Sequence, residues 1–181
     1  MTAPVVLMSC PYFLETEAAQ IAEIAPSITV ASPEDRAALP ADIREGITAF
    51  ANKGHDVIDG AQMDLFPNLK VIAQFGVGYD KIDVAAATAR GIKVTNTPDV
   101  LNEDVADLAL AMMLGWSREI IAGDAWVRDG TWAGGQELPL NRKMSGATVG
   151  IAGMGRIGRA IADRCTGFHR RLYNVLFHRA V

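Results

Sequence analysis

The sequence predicts an α/β chain in which a doubly wound parallel domain is followed by the opening of a second α/β domain. Three observations carry this expectation. Short apolar runs alternate with helix-like segments over the first hundred residues, which implies parallel pairing and right-handed crossovers. A nearly all-apolar helix follows, over residues 105–116. A Gly-x-Gly-x-x-Gly turn then falls at residues 153–158, between a strand-like run and a helix-like one.

The elements can be justified in order. Residues 5–8 are a short apolar strand, and 15–25 an amphipathic helix stopped by Pro26. A second strand covers 28–31. Ser32-Pro-Glu-Asp35 then has an N-cap serine, Pro at the first helical position and acids in the first turn, so a helix starts there. Residues 47–50 are a third strand, 61–66 a short helix and 69–75 a fourth strand. Residues 83–90 form a helix closed by Gly91, which suits the left-handed position after a helix end, and 92–95 are a fifth strand. Five such strands give a flavodoxin-like outline, in which ligands bind beyond the carboxyl ends of the strands.

The loop after the fourth strand, Phe75-Gly76-Val77-Gly78-Tyr79-Asp80, places two glycines where backbone comes close to something. Successive N–H groups in such a turn can cradle a carboxylate or phosphate. An ordinary strand-to-helix turn with glycines for positive φ fits the same residues.

Beyond Pro98-Asp99, Asn102 reads as an N-cap with Glu103 and Asp104 in the first turn. The following residues, Val105 to Trp116, are apolar on nearly every face, which predicts a helix buried on all sides between two domains. The Met112-Met113 pair reads as core filler. Residues 122–145, with Trp126, Trp132, Gly130, Gly134, Gly135 and Pro139, read as irregular. They are either a protruding arm with exposed Trp for a partner subunit or a loop packed on its own domain.

The turn itself is Thr148-Val-Gly-Ile-Ala-Gly-Met-Gly-Arg-Ile-Gly158, preceded by an apolar strand over 147–152 and followed by the helix-like Arg159-Ala-Ile-Ala-Asp163. The first Gly permits a tight turn, the second lets backbone approach a pyrophosphate, and the third lets helix and strand pack closely. A Gly-rich turn that binds nothing has the same local pattern. Only 23 residues follow Gly158, fewer than one βαβ unit needs, so the expectation is a dinucleotide-binding Rossmann domain begun and not completed.

Composition bounds the function. Half the residues are hydrophobic and 21% are charged. No basic leader with an apolar core and no run of 18 apolar residues occurs, so a cytoplasmic protein is expected, with no membrane partner. Two lone cysteines, Cys10 and Cys165, have no metal-ligand spacing, and no metal site is expected. All 21 acids lie at or before Asp163, against 13 Lys and Arg, a net of −8; beyond it stand four Arg, two His and no acid. That tail (Leu172, Tyr173, Val175, Leu176, Phe177) is too short and apolar to imply a nucleic-acid partner.

Four motifs in order resemble the D-2-hydroxyacid dehydrogenase family, in its glyoxylate/hydroxypyruvate reductase branch. They are Leu69-Lys-Val-Ile-Ala-Gln-Phe-Gly-Val-Gly-Tyr-Asp80, Gly91-Ile-Lys-Val-Thr-Asn-Thr-Pro98, Val105-Ala-Asp-Leu-Ala-Leu110 and Val149-Gly-Ile-Ala-Gly-Met-Gly-Arg-Ile-Gly158. The resemblance runs from about Pro4 to Phe168 and implies four segments. These are an outer substrate domain over 1–98, an interdomain helix over 99–121, a dimerisation arm over 122–146 and an incomplete NAD(P)-binding segment over 147–181. It further implies that the amides of Val77 and Gly78, beside Gly76, hold a substrate carboxylate. Gly153, Met154, Gly155, Arg156, Ile157 and Gly158 would line the pyrophosphate of NAD or NADP, with Val105 near the nicotinamide. The arm around Trp126 and Trp132 would embrace a second copy in a homodimer.

The departures from that family are specific. Its Arg clamp, its His proton donor and the Glu that holds the His have no match here, because His55, His169 and His178 occupy other positions. No catalytic residue is therefore assigned. His169 replaces a usual Gly, and Arg170-Arg-Leu-Tyr-Asn-Val-Leu-Phe-His-Arg179 fits a second strand poorly. The acid about 20 residues past the turn, which would bind the ribose of NAD, is missing, while Arg179 could take a 2′-phosphate. A chain truncated or frameshifted after about Phe168, and inactive as it stands, is expected. Two functional classes follow: an NAD(P)H-dependent oxidoreductase acting on a 2-oxo acid such as glyoxylate or hydroxypyruvate, present as an incomplete copy, or a noncatalytic carboxylate-binding or dimerising module.

Overall fold

A computed structural model describes residues 5–9, 15–54, 56–168 and, as backbone, 171–175. Cys10, His55, His169, Arg170, His178 and Arg179 lie outside the described residues. The chain divides into two compact units, one ending at Pro98 and the other beginning at Asp99.

The first unit alternates strands and helices from the start. β1 (Val5–Met8), α1 (Glu15–Ile24) and β2 (Ser27–Thr29) lead into α2 (Pro33–Ala37), α3 (Ala41–Gly46) and β3 (Ile47–Asn52). α4 (Gly60–Asp64), β4 (Val71–Gln74), α5 (Val84–Ala89) and β5 (Lys93–Thr95) complete it. The five strands form one sheet in the order β2-β1-β3-β4-β5, every pair parallel. This is the flavodoxin-like order that the sequence predicts.

Local signals place the helix starts. Ser32 Oγ accepts from Asp35 N at 3.0 Å, Asp59 Oδ1 from Gln62 N at 2.9 Å, and Asp83 Oδ1 from Ala86 N at 2.8 Å. Each satisfies one N–H that the first turn leaves without an acceptor. Gly91, at φ 69°, closes α5. The sequence pattern missed α3, a six-residue helix without a side-chain cap.

Leu7, Ile47, Phe50, Met63, Phe66, Ile72 and Ile92 are buried in one continuous core. The Phe50 and Phe66 rings meet edge to face with centroids 6.2 Å apart. Arg36 is wholly buried: its guanidinium lies 5.1 Å from the Phe50 centroid, pairs with Asp56, and donates to the carbonyls of Val30 and Ala31. A buried guanidinium is tolerated because partners occupy most of its donors.

In the second unit, α6 (Asn102–Ser117) and α7 (Ile120–Arg128) precede β6 (Thr148–Ala152), α8 (Arg156–Thr166) and β7 (Arg171–Val175). Three expectations are corrected here. Residues 171–175 do form a strand, parallel to β6 with Thr148 opposite Arg171 and Ala152 opposite Val175, as the strand-favouring Leu172, Tyr173 and Val175 allow. The segment read as irregular from residue 122 begins inside α7, separated from α6 by Glu119 at φ 50° and braced by the Asp124–Arg128 pair one turn apart.

The third correction concerns α6, which is not buried on all sides. One face (Leu110, Met113, Leu114) packs with Met144, Val149, Ile161 and the buried thiol of Cys165, and Ala106 is buried as well. Leu108 (59% exposed), Met112 (65%) and Trp116 (74%) stand on the surface, because no described residue covers that face. Asn102 is the first residue of the helix and gives it no side-chain cap.

Phe50→Ala should lower stability by about 3–5 kcal/mol, since the cavity beside Phe66 cannot close completely. Leu140→Ala, at a fully exposed position, should change it by less than about 0.5 kcal/mol. Urea unfolding followed by circular dichroism measures both.

Candidate functional site

Parallel strands point all their carboxyl ends to one edge, and in the first unit buried polar residues collect there. Ser9 follows β1, Asn52 and Gln74 end β3 and β4, and all three are buried. Asn52 Nδ2 donates to Gln74 Oε1 at 2.6 Å, and the Lys53 amide donates to Ser9 Oγ at 3.1 Å. The Lys53 ammonium pairs with Glu17 at 2.7 Å and lies 4.5 Å from the Phe75 centroid. Sequence reasoning missed this polar layer. Its signal was a polar residue closing each apolar run, in Leu-Met-Ser9, Phe-Ala-Asn52 and Ile-Ala-Gln74.

The Gly76–Gly78 loop leaves from that layer. Phe75 N donates to Asn52 O at 2.7 Å, Gly76 O accepts from Thr97 N at 3.0 Å, and Val77 O accepts from Asn96 Nδ2 at 2.9 Å. The amides of Val77 and Gly78 have no acceptor among the described residues. A Cβ on Gly78 would stand 3.7 Å from Asp80 Oδ2, an ordinary contact.

In the second unit, β6 runs into Gly153 at φ 98°, a conformation that favours glycine. Gly155 is the N-cap of α8, and its carbonyl accepts the first helical bond, from Arg159 N, at 3.0 Å. Gly158 is the tightest position in the chain: a Cβ there would lie 2.1 Å from Gly153 O and 3.5 Å from Ile151 Cγ2. Helix and strand thus approach to a distance that only glycine permits. At Gly153 and Gly155 a Cβ would meet nothing within 4 Å. The turn is therefore closed at Gly158 and open at Gly153 and Gly155, and the first-turn amides of α8 lack intrahelical acceptors.

Charged groups frame the turn. Asp99, held at φ 70°, accepts from Asn102 Nδ2 at 2.9 Å and forms an ion pair with the Arg156 guanidinium, Oδ1 to Nε 3.0 Å. This ties the start of α6, with the half-exposed Val105, to the Gly-rich turn. Arg164, on the last turn of α8, bridges Asp107 and Glu103 on α6. Donating to Asp107 first and to Glu103 second raises its pKa further above the ordinary guanidinium value.

The predicted residues therefore form two separate sets. Gly76, Val77 and Gly78 share one loop of the first unit. Gly153 to Gly158 and Val105 belong to the second. An open cradle of backbone N–H groups at a helix start fits a pyrophosphate.

A flavodoxin-order sheet followed by a strand–Gly-turn–helix unit defines a two-unit α/β class. Over residues 6–173 the sequence matches the family described as D-isomer specific 2-hydroxyacid dehydrogenase, catalytic domain. The chain belongs to this family of oxidoreductases. It is 42% identical over 165 residues to a glyoxylate/hydroxypyruvate reductase of Arabidopsis thaliana, a match covering 90% of this chain and 51% of that protein. Among solved structures, a 2-hydroxyacid dehydrogenase from Ketogulonicigenium vulgare superposes with TM-score 0.84 at 40% identity, covering 99% of this chain and 57% of the other. The NADPH-dependent glyoxylate/hydroxypyruvate reductase of Sinorhizobium meliloti, in complex with NADP and malonate, gives 0.81 at 36% identity, covering 98% and 55%. The chain thus spans about half the length of these relatives. Among the described residues no helix is long and apolar enough to cross a membrane.

The two glycines Gly158 and Gly155 should respond differently to alanine. Gly158→Ala drives a methyl into a backbone carbonyl and should lower stability by about 1–3 kcal/mol or more. Gly155→Ala meets no protein atom and should leave the melting temperature within about 2 °C, while weakening pyrophosphate binding at the turn. Thermal melts and pyrophosphate titrations of both variants check the contrast.

Proposed function

We propose that these residues are the ligand-holding half of an NAD(P)H-dependent reductase that converts a 2-oxo acid of the glyoxylate or hydroxypyruvate type into a D-2-hydroxy acid. The observation that carries this reading is the pairing of two backbone cradles in one family sequence. The Val77 and Gly78 amides would bind the substrate carboxylate, and the amides of Met154, Arg156 and Ile157 the cofactor pyrophosphate. Gly153, Gly155 and Gly158 would shape that turn, with Gly76 shaping the other. Val105, in the first turn of α6, would lie near the nicotinamide. The bound nicotinamide would supply the hydride. Arg156 can serve the pyrophosphate by turning from Asp99, since an exposed ion pair of this kind holds its partners by only about 0–1 kcal/mol.

The family resemblance assigns no residue of this sequence to proton transfer. General acid–base catalysis contributes about 10²–10⁴-fold. On this reading the 181-residue chain binds ligands without turning them over.

A second reading, a noncatalytic carboxylate-binding or dimerising module, is favoured by the surface of the second unit. Leu108, Met112, Trp116, Ile121 and Trp132 are all exposed. A second copy of the chain, embraced by the segment around Trp126 and Trp132 within the arm of residues 122–146, would cover such residues. Here Trp126 donates to Gln136 O at 3.4 Å, which closes that segment on itself.

Titration calorimetry and an NADPH-oxidation assay test the reading together. Contacts at a helix terminus are worth about 0.3–2 kcal/mol, whereas micromolar affinity needs about 8 kcal/mol. The purified chain should therefore bind NADH and NADPH more weakly than about 100 μM and show no glyoxylate-dependent oxidation. Turnover above a host-protein control would overturn the assignment of no catalytic residue. Micromolar affinity would show a fuller cofactor pocket than the turn.

A further inference from the structure

The sequence motif 91–98 contributes β5 and then Asn96 and Thr97, to which the proposed function gives no task. Both donate to the carboxylate loop: Thr97 N to Gly76 O at 3.0 Å and Asn96 Nδ2 to Val77 O at 2.9 Å. A trans peptide is planar, so its N–H points opposite to its C=O. The structure contains no cis peptide among the described residues. Holding Gly76 O toward Thr97 therefore turns the Val77 N–H away from the 96–97 segment. Holding Val77 O toward Asn96 does the same for the Gly78 N–H. Two consecutive amides come to face one side, which is what an anion requires of a backbone cradle.

The two ties differ in kind. The first is a backbone bond between the segments that leave β4 and β5, two residues past the end of each strand. The second depends on one side chain. Asn96 is partly buried at the carboxyl edge, and its amide NH₂ donates where an acid of the same shape could not.

We propose that Asn96 is a positioning residue for the substrate carboxylate. Its carboxamide fixes the Val77–Gly78 peptide plane so that both amides present to the anion. This rests on the reading of the loop as the carboxylate site. Asn96 does not touch the substrate. Without its bond the peptide plane is free to rotate, and one of the two donors is lost for part of the time.

The test uses the full ¹⁵N-labelled chain, glyoxylate as probe, and Asn96→Ala and Asn96→Asp. The Asp variant keeps the shape and removes the donor, so it decides the matter if the Ala variant fails to fold. In the wild type, glyoxylate should shift the Val77 and Gly78 amide signals. In the variants the Gly78 N–H residual dipolar coupling should change, and glyoxylate should bind about tenfold more weakly, as expected for one charged hydrogen bond. Amides of β1 and β3 should keep their couplings. Unchanged Gly78 coupling and affinity in a folded variant would overturn the proposal and leave the carboxylate reading standing. If glyoxylate leaves the wild-type Val77 and Gly78 signals unmoved, the carboxylate reading itself falls. The positioning role falls with it, even if the coupling responds to the substitution.

Discussion

Parallel strand pairing is the constraint on which the rest of this structure depends. Every ladder in both units is parallel, so each strand must return through a crossover and start again from the same edge. All carboxyl ends of a sheet then lie along one edge. In the first unit that edge gathers Ser9, Asn52, Gln74 and the 75–80 loop. The polar layer is satisfied in part from within, as Asn52 Nδ2 donates to Gln74 and the Lys53 amide to Ser9, while Asn52 Oδ1 has no partner among the described residues. In the second unit the same geometry sends β6 straight into the Gly-rich turn and α8 back along the strand, where Gly158 permits the close return.

Both candidate sites are built from backbone N–H groups. This separates binding from side-chain identity and makes it depend on how the peptide planes are held. In one case the helix holds them; in the other, bonds to Gly76 O and Val77 O do. Within the Gly-rich turn the glycines differ. Gly158 is required by what lies against it, whereas at Gly155 a Cβ would meet nothing within 4 Å.

The strands, their parallel sense and the Gly-rich turn were legible because each has a local cause: β-branched runs, capping residues such as Ser32 and Asp83, and glycines at fixed spacing. The exposed face of α6 was not legible. Its composition states only that Leu108, Met112 and Trp116 prefer an apolar neighbour, and nothing local says whether the same chain supplies one. Helix α7 was hidden because Gly123, Gly130 and the Trp residues mark a break, while the Asp124–Arg128 brace and the left-handed Glu119 are matters of geometry. β7 was hidden because the stretch from Arg170 to Arg179 matches the family's second strand poorly, yet pairing with β6 needs only backbone groups. Asn52, Gln74 and Asn96 escaped for a related reason. A polar residue at a strand end reads as the start of a loop, and its partner lies about twenty positions away.

The central claim is that the start of α8 is a pyrophosphate cradle made of main-chain amides. Mapping amide shifts of the ¹⁵N-labelled chain during titration with inorganic pyrophosphate tests it most directly. The account predicts saturable shifts confined to residues 153–158 and the adjoining Asp99, as Arg156 leaves its carboxylate for the anion. Shifts scattered over exposed Lys and Arg residues, with the 153–158 amides unmoved, would contradict it.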